Sequence, residues 1–261
     1  MNTLKLLSAF LKVNIQMSLA YRADTLVNIL LNLMWLGWEL LSLSIIFNNT
    51  ETIAGWGFGE LIALLGVFRL VHTLMIALIW PNTEKFNQSI RDGSMDYTLL
   101  QPINSMFLVT FSRITIWRAW DLILAIILIT IGINMSGDTV TAAQILIFIL
   151  LTICGAIIIY SLWIVLIALT FWFTKFDNNV TILQALLDAG RYPVTVYPPW
   201  LRILVTFVIP VAVATNVPLQ GLRGDLDISR VLMFAAIGVI SFLIASQIWK
   251  RGLKQYSGAS S

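Results

Sequence analysis

The sequence predicts an all-α polytopic membrane protein with six transmembrane helices, an N-terminal interfacial helix and one cytoplasmic coupling segment. Three observations predict it. The 261 residues are 59% hydrophobic and 11% charged, far too little charge to cover the surface of a water-soluble domain of this size. Apolar runs recur at lengths near the roughly 20 residues that cross about 30 Å of hydrocarbon. Basic residues cluster at alternate ends of those runs, as the positive-inside rule requires.

Residues 1–24 read as an amphipathic helix. Leu4, Leu7, Leu11 and Ile15 share one helical face, and Lys5, Ser8, Lys12 and Gln16 the other, a pattern that lies in the bilayer interface with its lysines toward anionic lipid. The predicted spans are 25–47, 59–80, 107–133, 142–173, 201–217 and 228–249. The fourth is long enough to tilt. The fifth is short and carries Pro210, which lacks the N–H that a helix interior needs. Between the fourth and fifth, 174–199 reads as a cytoplasmic interval whose surface helix, around Val180, Leu183 and Leu187, ends near Gly190. Trp56, Trp80, Trp172, Trp200 and Trp249 fall where interfacial aromatic anchors belong.

Orientation follows from the basic residues. Lys5, Lys12 and Arg22 precede the first span, Lys85 and Arg91 follow the second, Lys175 and Arg191 follow the fourth, and Lys250, Arg251 and Lys254 follow the sixth. The opposite loops hold Glu51 and Asp138, with Arg223 and Arg230 the only basic residues there. Both termini are therefore expected in the cytoplasm. The net charge of +3 is topological, and no nucleic-acid partner is expected.

Groups for bond-making chemistry are scarce. The phosphate loop GxxxxGK[ST], HExxH, CxxC and GxSxG are all missing from the sequence, so neither nucleotide hydrolysis nor metal or serine hydrolysis is expected here. Cys154 is the one cysteine and sits in an apolar run, which reads as a packing residue. The residues that need a reason are ionisable ones inside spans: Glu39 on the first, Arg69 and His72 on the second, Arg118 and Asp121 on the third. Glu39 lies about 12 Å from the outer end of its span, and Arg69 at a similar depth on the next, antiparallel one. Charges at such depth face the bundle interior or water. Two readings stand. One is a structural network, with Glu39 paired to Arg69 and Asp121 to Arg118 or His72. The other is a translocation path in which a carboxylate and nearby tryptophans (Trp35, Trp38, Trp117, Trp120) hold a lipophilic cation.

The segment 81–106 is the longest clearly polar interval between apolar runs. Pro81 is expected to end the second span, Asn82 to cap a new short helix with Phe86 and Ile90 on one face, and Gly93 to close it. Such an element on a membrane surface suits docking to a second protein. Within it, IRDGSMDYTLLQPINSMF resembles the loop after the second span of ABC-2-type permeases, in particular a subfamily of permease components of about this length, some of them viologen-exporter-like. Three further places fit in the same order: Tyr21-Arg22-Ala23 before the first span, YPVTVYPPWLRILVTFVIP from Tyr192, and WKRGLKQYSGASS from Trp249. The resemblance covers essentially the whole chain.

It implies an ABC-2 (type V exporter-like) fold and a permease subunit of an ATP-driven exporter in a bacterial inner membrane. ATP and Mg would be bound by separate ATPase subunits, with no cofactor in this chain. A second permease, sister chain or identical copy, would complete the pair. Phe86, Ile90, Arg91 and Asp92 would meet the ATPase, and Asp96, Tyr97 and Pro102 would stiffen the link to the third span. The expected cargo is hydrophobic or amphipathic, organic cations included. The competing readings are an ATP-independent carrier or channel, which needs no docking element, and a membrane-embedded transferase, for which no metal spacing or nucleophile–base pair is present.

Overall fold

The computed structural model describes residues 12–16, 22–173, 179–208 and 210–256. The N-terminal interfacial helix, Tyr21, Lys175 and the last five residues lie outside this range, save that residues 12–16 are helical. We name the elements α1 (Arg22–Phe47), α2 (Phe58–Arg91), α3 (Met95–Leu99), α4 (Ser105–Phe111), α5 (Ala119–Ser136), α6 (Ala142–Ala168), α7 (Asn179–Asp188), α8 (Pro199–Ile203), α9 (Val211–Arg223) and α10 (Ile228–Gln255). Among the described residues there is no strand, and five helices are long and apolar enough to cross a membrane: Ala23–Phe47, Phe58–Arg91, Ile116–Ser136, Ala142–Phe171 and Ile228–Gln255.

α2 is the centre of the bundle. It packs most extensively on α5, and the reason is side-chain size. Gly59, Ala63 and Gly66 on α2 face Ala125, Gly132 and Ser136 on α5, and a Cβ on Gly59 or Gly66 would come within 2.8 Å of the opposing backbone. Small residues at this spacing let two helices approach in lipid, where no hydrophobic effect drives them together. α6 is held the same way on its other sides, by Gly155 against Ala214 of α9 and by Cys154 against Gly238 of α10. α1, by contrast, is almost wholly exposed, and leans on α2 and α5 through Leu36, Leu40 and Leu43.

Pro81 does not end the second span. α2 continues through it to Arg91 as one helix of 34 residues, about 51 Å long. A proline inside a helix leaves the carbonyl four residues back without its donor. Here that carbonyl belongs to Ala77, and the Thr115 N–H donates to it at 2.9 Å. Asn82 is correspondingly not a helix cap. It is buried, and its amide faces the end of α4: Nδ2 donates toward the Thr110 and Arg113 carbonyls, both at 2.7 Å, and Oδ1 accepts from the Ser112 hydroxyl (2.8 Å) and the Arg113 N–H (3.0 Å).

The third apolar run is therefore broken rather than continuous. α4 ends at Phe111, residues 112–115 are not helical, and a short 3-10 turn, Ile116–Arg118, leads into α5. Irregular backbone at this depth survives only when other protein groups satisfy it. Pro81 and Asn82 supply that satisfaction, one by freeing an acceptor and the other by offering a whole amide.

The helix expected on the surface around Val180, Leu183 and Leu187 is instead packed into the bundle, with Leu183 and Leu187 buried. Asn179 exchanges amide hydrogen bonds with Asn87 near the C-terminal end of α2 (3.1 Å each way), Gln184 meets His72 (3.1 Å), Arg191 stacks over Phe68 (5.2 Å), and the Thr195 hydroxyl reaches the Ala54 carbonyl before α2 begins (3.4 Å). The chain from 179 to 196 thus climbs alongside α2, spanning about 28 Å between the levels of Asn87 and Phe68 alone. The run 201–217 is in turn not one helix. α8 is followed by a π-turn at Leu204–Val208, and a new helix starts after Pro210. That helix, α9, passes through Pro218 and is closed by Gly224 in the left-handed conformation (φ 83°). It begins beside the middle of α6 and ends where Arg223 binds Glu60 (2.6 Å) and Asp138 (3.1 Å). Two predicted interfacial tryptophans, Trp56 and Trp249, are buried in the core, whereas Trp80, Trp172 and Trp200 are exposed.

Candidate functional site

Two places gather the residues that the sequence singled out. The first is an ion-pair network between α1, α2 and the climbing segment. Arg69 donates from Nη2 and Nε to Glu39 Oε2 (2.7 and 3.2 Å) and from Nη1 to Asn32 Oδ1 (2.9 Å). The other carboxylate oxygen, Oε1, lies 3.6 Å from Arg191 Nη1, and Arg191 Nη2 is 3.4 Å from Asp188. Two arginines and two carboxylates therefore alternate, and their formal charges cancel. One turn along α2, His72 stacks on Phe68 (5.2 Å between centroids) and its Nε2 faces the Gln184 amide. As the amide is oriented, the imidazole accepts there.

Arg118 and Asp121 form a separate pair at 3.1 Å at the start of α5, with Arg118 over the Trp117 ring (4.2 Å). Asp121 is buried, and its Oδ1 has no hydrogen-bond partner among the described residues. In both groups each carboxylate already has an arginine, so a transported cation would have to displace an ion pair to reach one. Asp188 and Gln184 were not picked as site residues from the sequence, and Arg191 was read only as a cytoplasmic basic residue, whereas it stands beside Glu39 and Phe68. The available signal was that Leu183, Leu187 and the Gly190 stop belong to a helix with a buried side, and an arginine one turn past that helix is carried wherever the helix goes.

The second place is the tip formed by the end of α2, α3 and the start of α4. Phe86 and Ile90 do share one helical face, but it points inward: they are 2% and 9% exposed, and Phe86 packs on Phe171 (5.5 Å, edge-on) and Trp249 (5.5 Å). They hold the tip from within and are not part of its exposed surface. Met95 of α3 is also fully buried in this cluster. The outward residues are Arg91, Asp92, Tyr97 (74% exposed) and Leu100 (81% exposed), with Pro102 exposed beside them and Asp96 half-buried. Hydrogen bonds from the Ser94 hydroxyl and N–H (the latter 2.9 Å) hold the Asp92 carboxyl below the usual carboxylate range. Asn104 caps α4 by accepting from the N–H groups of Met106 (2.9 Å) and Phe107 (3.4 Å). The tip is thus a braced corner that exposes an aromatic and a leucine to water. Among the described residues, no group of three or more His, Cys, Asp or Glu is placed to hold a metal.

The family model described as "ABC-2 family transporter protein" matches residues 33–260. The chain belongs to this family. It is a membrane permease of the ABC transporter class, multi-pass and all-helical among its described residues. No curated protein and no solved structure gave a significant match. For an ABC-2 permease, association with ABC ATPase partners is implied by the family, and the braced tip is the part of this one whose exposed apolar residues stand on a rigid base. The polar network is centred on Arg69 of the same helix, α2, about 33 Å along it from Arg91, so one continuous helix joins the two places.

Proposed function

We propose that this chain is the membrane-spanning subunit of an ATP-driven exporter that moves a hydrophobic or amphipathic molecule by alternating access. ATP and Mg are bound by separate ATPase subunits, and a second permease, identical or a sister chain, faces this one. The observation that carries the reading is the corner at α3: Tyr97 and Leu100 are exposed while Met95, Phe86 and Ile90 anchor them in the core. Closure of the ATPases against Tyr97 and Leu100 pushes on a corner that the turn at 92–94 joins to α2 and that Met95 anchors in the same core cluster as Phe86 and Ile90. The push then reaches the Glu39–Arg69–Arg191 network, where α1 and the climbing segment are joined to α2. An ion-pair network with alternative partners is a bistable element of the kind that such transitions need.

In this reading the chain crosses the bilayer six times, with both termini on the side of the tip, in a bacterial inner membrane. The fifth crossing is 179–196, and 199–223 is a hairpin that enters and leaves on the outer side, with Pro210 at its turn. Arg223, tied to Glu60 and Asp138, closes that hairpin. Arg69 and Arg191 occupy the intramembrane carboxylate of α1, which favours neutral or amphipathic cargo over a simple lipophilic cation.

The test is affinity purification of the tagged chain in mild detergent, for the natural sequence and for the double variant Tyr97→Ser/Leu100→Ser. The natural chain is expected to bring down a polypeptide with a Walker motif. The surface variant is expected to stay folded and monodisperse but to lose most of that partner and of ATP-dependent transport. A chain that comes out alone and transports in liposomes without ATP refutes the reading in favour of a carrier.

A further inference from the structure

Between α2, α4, α6 and α10 lies a cavity of about 980 Å³ that borders the tip at the start of α4 and lies away from the ion-pair network. Its walls include Met75, Phe107, Ile157, Tyr160, Val239 and Phe242. Of its polar groups, Thr110 and Tyr160 satisfy each other at 2.8 Å, and the Thr110 hydroxyl donates to the Met106 carbonyl. We propose that this cavity binds an anionic phospholipid, with an acyl chain between the helices and the headgroup at Lys250.

Depth selects the occupant. The α6 wall, from Thr152 to Tyr160, and the α10 wall, at Val239 and Phe242, are the middles of two spans. The opposite end of the cavity is at Pro102, Ile103 and Asn104, beside the tip. It therefore runs from the centre of the hydrocarbon to one interface. Its walls are mostly apolar and lie at the depth of the acyl chains, so the material that fits them there is lipid chain.

Charge selects the headgroup. At the cavity mouth the Trp249 indole N–H donates to the Ser105 hydroxyl at 3.3 Å, which fixes the end of α10 against the start of α4. Lys250 is the next residue. It is exposed, has no ion-pair partner among the described residues, and lies on the same helical face as Val239 three turns further along, about 16 Å toward the interface. A phosphate in the leaflet on the side of the tip meets Lys250 while its chain enters beside Phe242.

The test is native mass spectrometry of the full chain purified in mild detergent, with phosphatidylglycerol or phosphatidylcholine of matched chains as the probe. Phosphatidylglycerol is expected to be retained about fivefold better at equal concentration, the preference that one lysine near the surface provides. Ala156→Trp narrows the cavity at its middle and is expected to lower retention of both lipids; Ala156→Phe, a smaller increment, serves the same purpose if the tryptophan variant does not fold. Lys250→Gln is expected to leave retention of phosphatidylcholine unchanged and to abolish the preference. Equal retention of the two lipids by the natural chain overturns the proposal. So does full retention in the narrowed variants, and a preference that survives Lys250→Gln overturns the headgroup assignment.

Discussion

Glu39→Gln separates a network that holds the permease together from one that touches cargo. The side chains of Arg69 and Glu39 are 11% and 20% exposed, so water screens their attraction only weakly. Removing one partner of such a pair leaves the other charge buried and uncompensated, which costs about 3–5 kcal/mol. Glutamine keeps the shape and one acceptor for Arg69, which places the expected loss near the lower end, about 3 kcal/mol. Arg191 then keeps only Asp188, which is half exposed. The assay is unfolding of the detergent-purified chain followed by tryptophan fluorescence, in a double-mutant cycle with Arg69→Met and Glu39→Met. Each single methionine variant is expected to lose about as much as Glu39→Gln or more, and the double variant to return to within about 1 kcal/mol of the natural chain, because two apolar side chains replace a pair whose desolvation roughly cancelled its attraction. A Glu39→Gln chain that is as stable as the natural one, assembles normally and has lost transport refutes this reasoning and puts the carboxylate in contact with cargo.

Three further outcomes follow from named contacts. Asn82→Leu keeps the volume but orphans two carbonyls, an N–H and a hydroxyl at the break after α4. At about 1–3 kcal/mol for each unsatisfied group, with some relaxation, it should cost at least about 3 kcal/mol by the same unfolding assay, and an unchanged midpoint would show that the break is satisfied elsewhere. Gly132→Ala puts a Cβ against the backbone N of Ala63, closer than side chains approach; α2 and α5 must separate, with an expected loss of about 1–3 kcal/mol and faster proteolysis of the α5–α6 connection. Arg223→Met removes ion pairs to Glu60, Asp138 and Asp225; these are partly exposed, so the expected cost is about 1 kcal/mol and should shrink as salt is raised, which a salt series of the unfolding midpoint measures.

The candidate site was legible in part. Glu39 and Arg69 stand at matching depths on neighbouring antiparallel runs, and the two side chains meet at 2.7 Å. Arg118 and Asp121, three residues apart on one face, meet as well. Arg191 was not legible as their neighbour. Its surroundings, with Asp188 before it and Pro193 after, carry too much polarity and too many breaks to read as part of the bundle, and what satisfies them beside α2 is α9 on the other side: the Thr215 hydroxyl donates to the Gly190 carbonyl (2.7 Å), and Asn216 Oδ1 accepts from the Val194 N–H (3.1 Å). The tip failed in a different way. Phe86 and Ile90 have the right spacing for one face, yet spacing does not say whether that face is turned outward or into Phe171 and Trp249.

By itself the sequence determined the class of the molecule, because composition and run length decide which solvent a chain can live in. It also determined where backbone groups lose their local partners: at Pro81, Pro210 and Pro218. Only the tertiary structure decided what each loss became. At Pro81 the freed Ala77 carbonyl found the Thr115 N–H, and the helix ran on. In the run that contains Thr115, the helix stopped instead, because Asn82 offered the chain a better set of partners than its own next turn. A hydrogen bond between residues thirty positions apart leaves no periodic trace in either segment, so the place where a span breaks is set by a neighbour the local sequence cannot name.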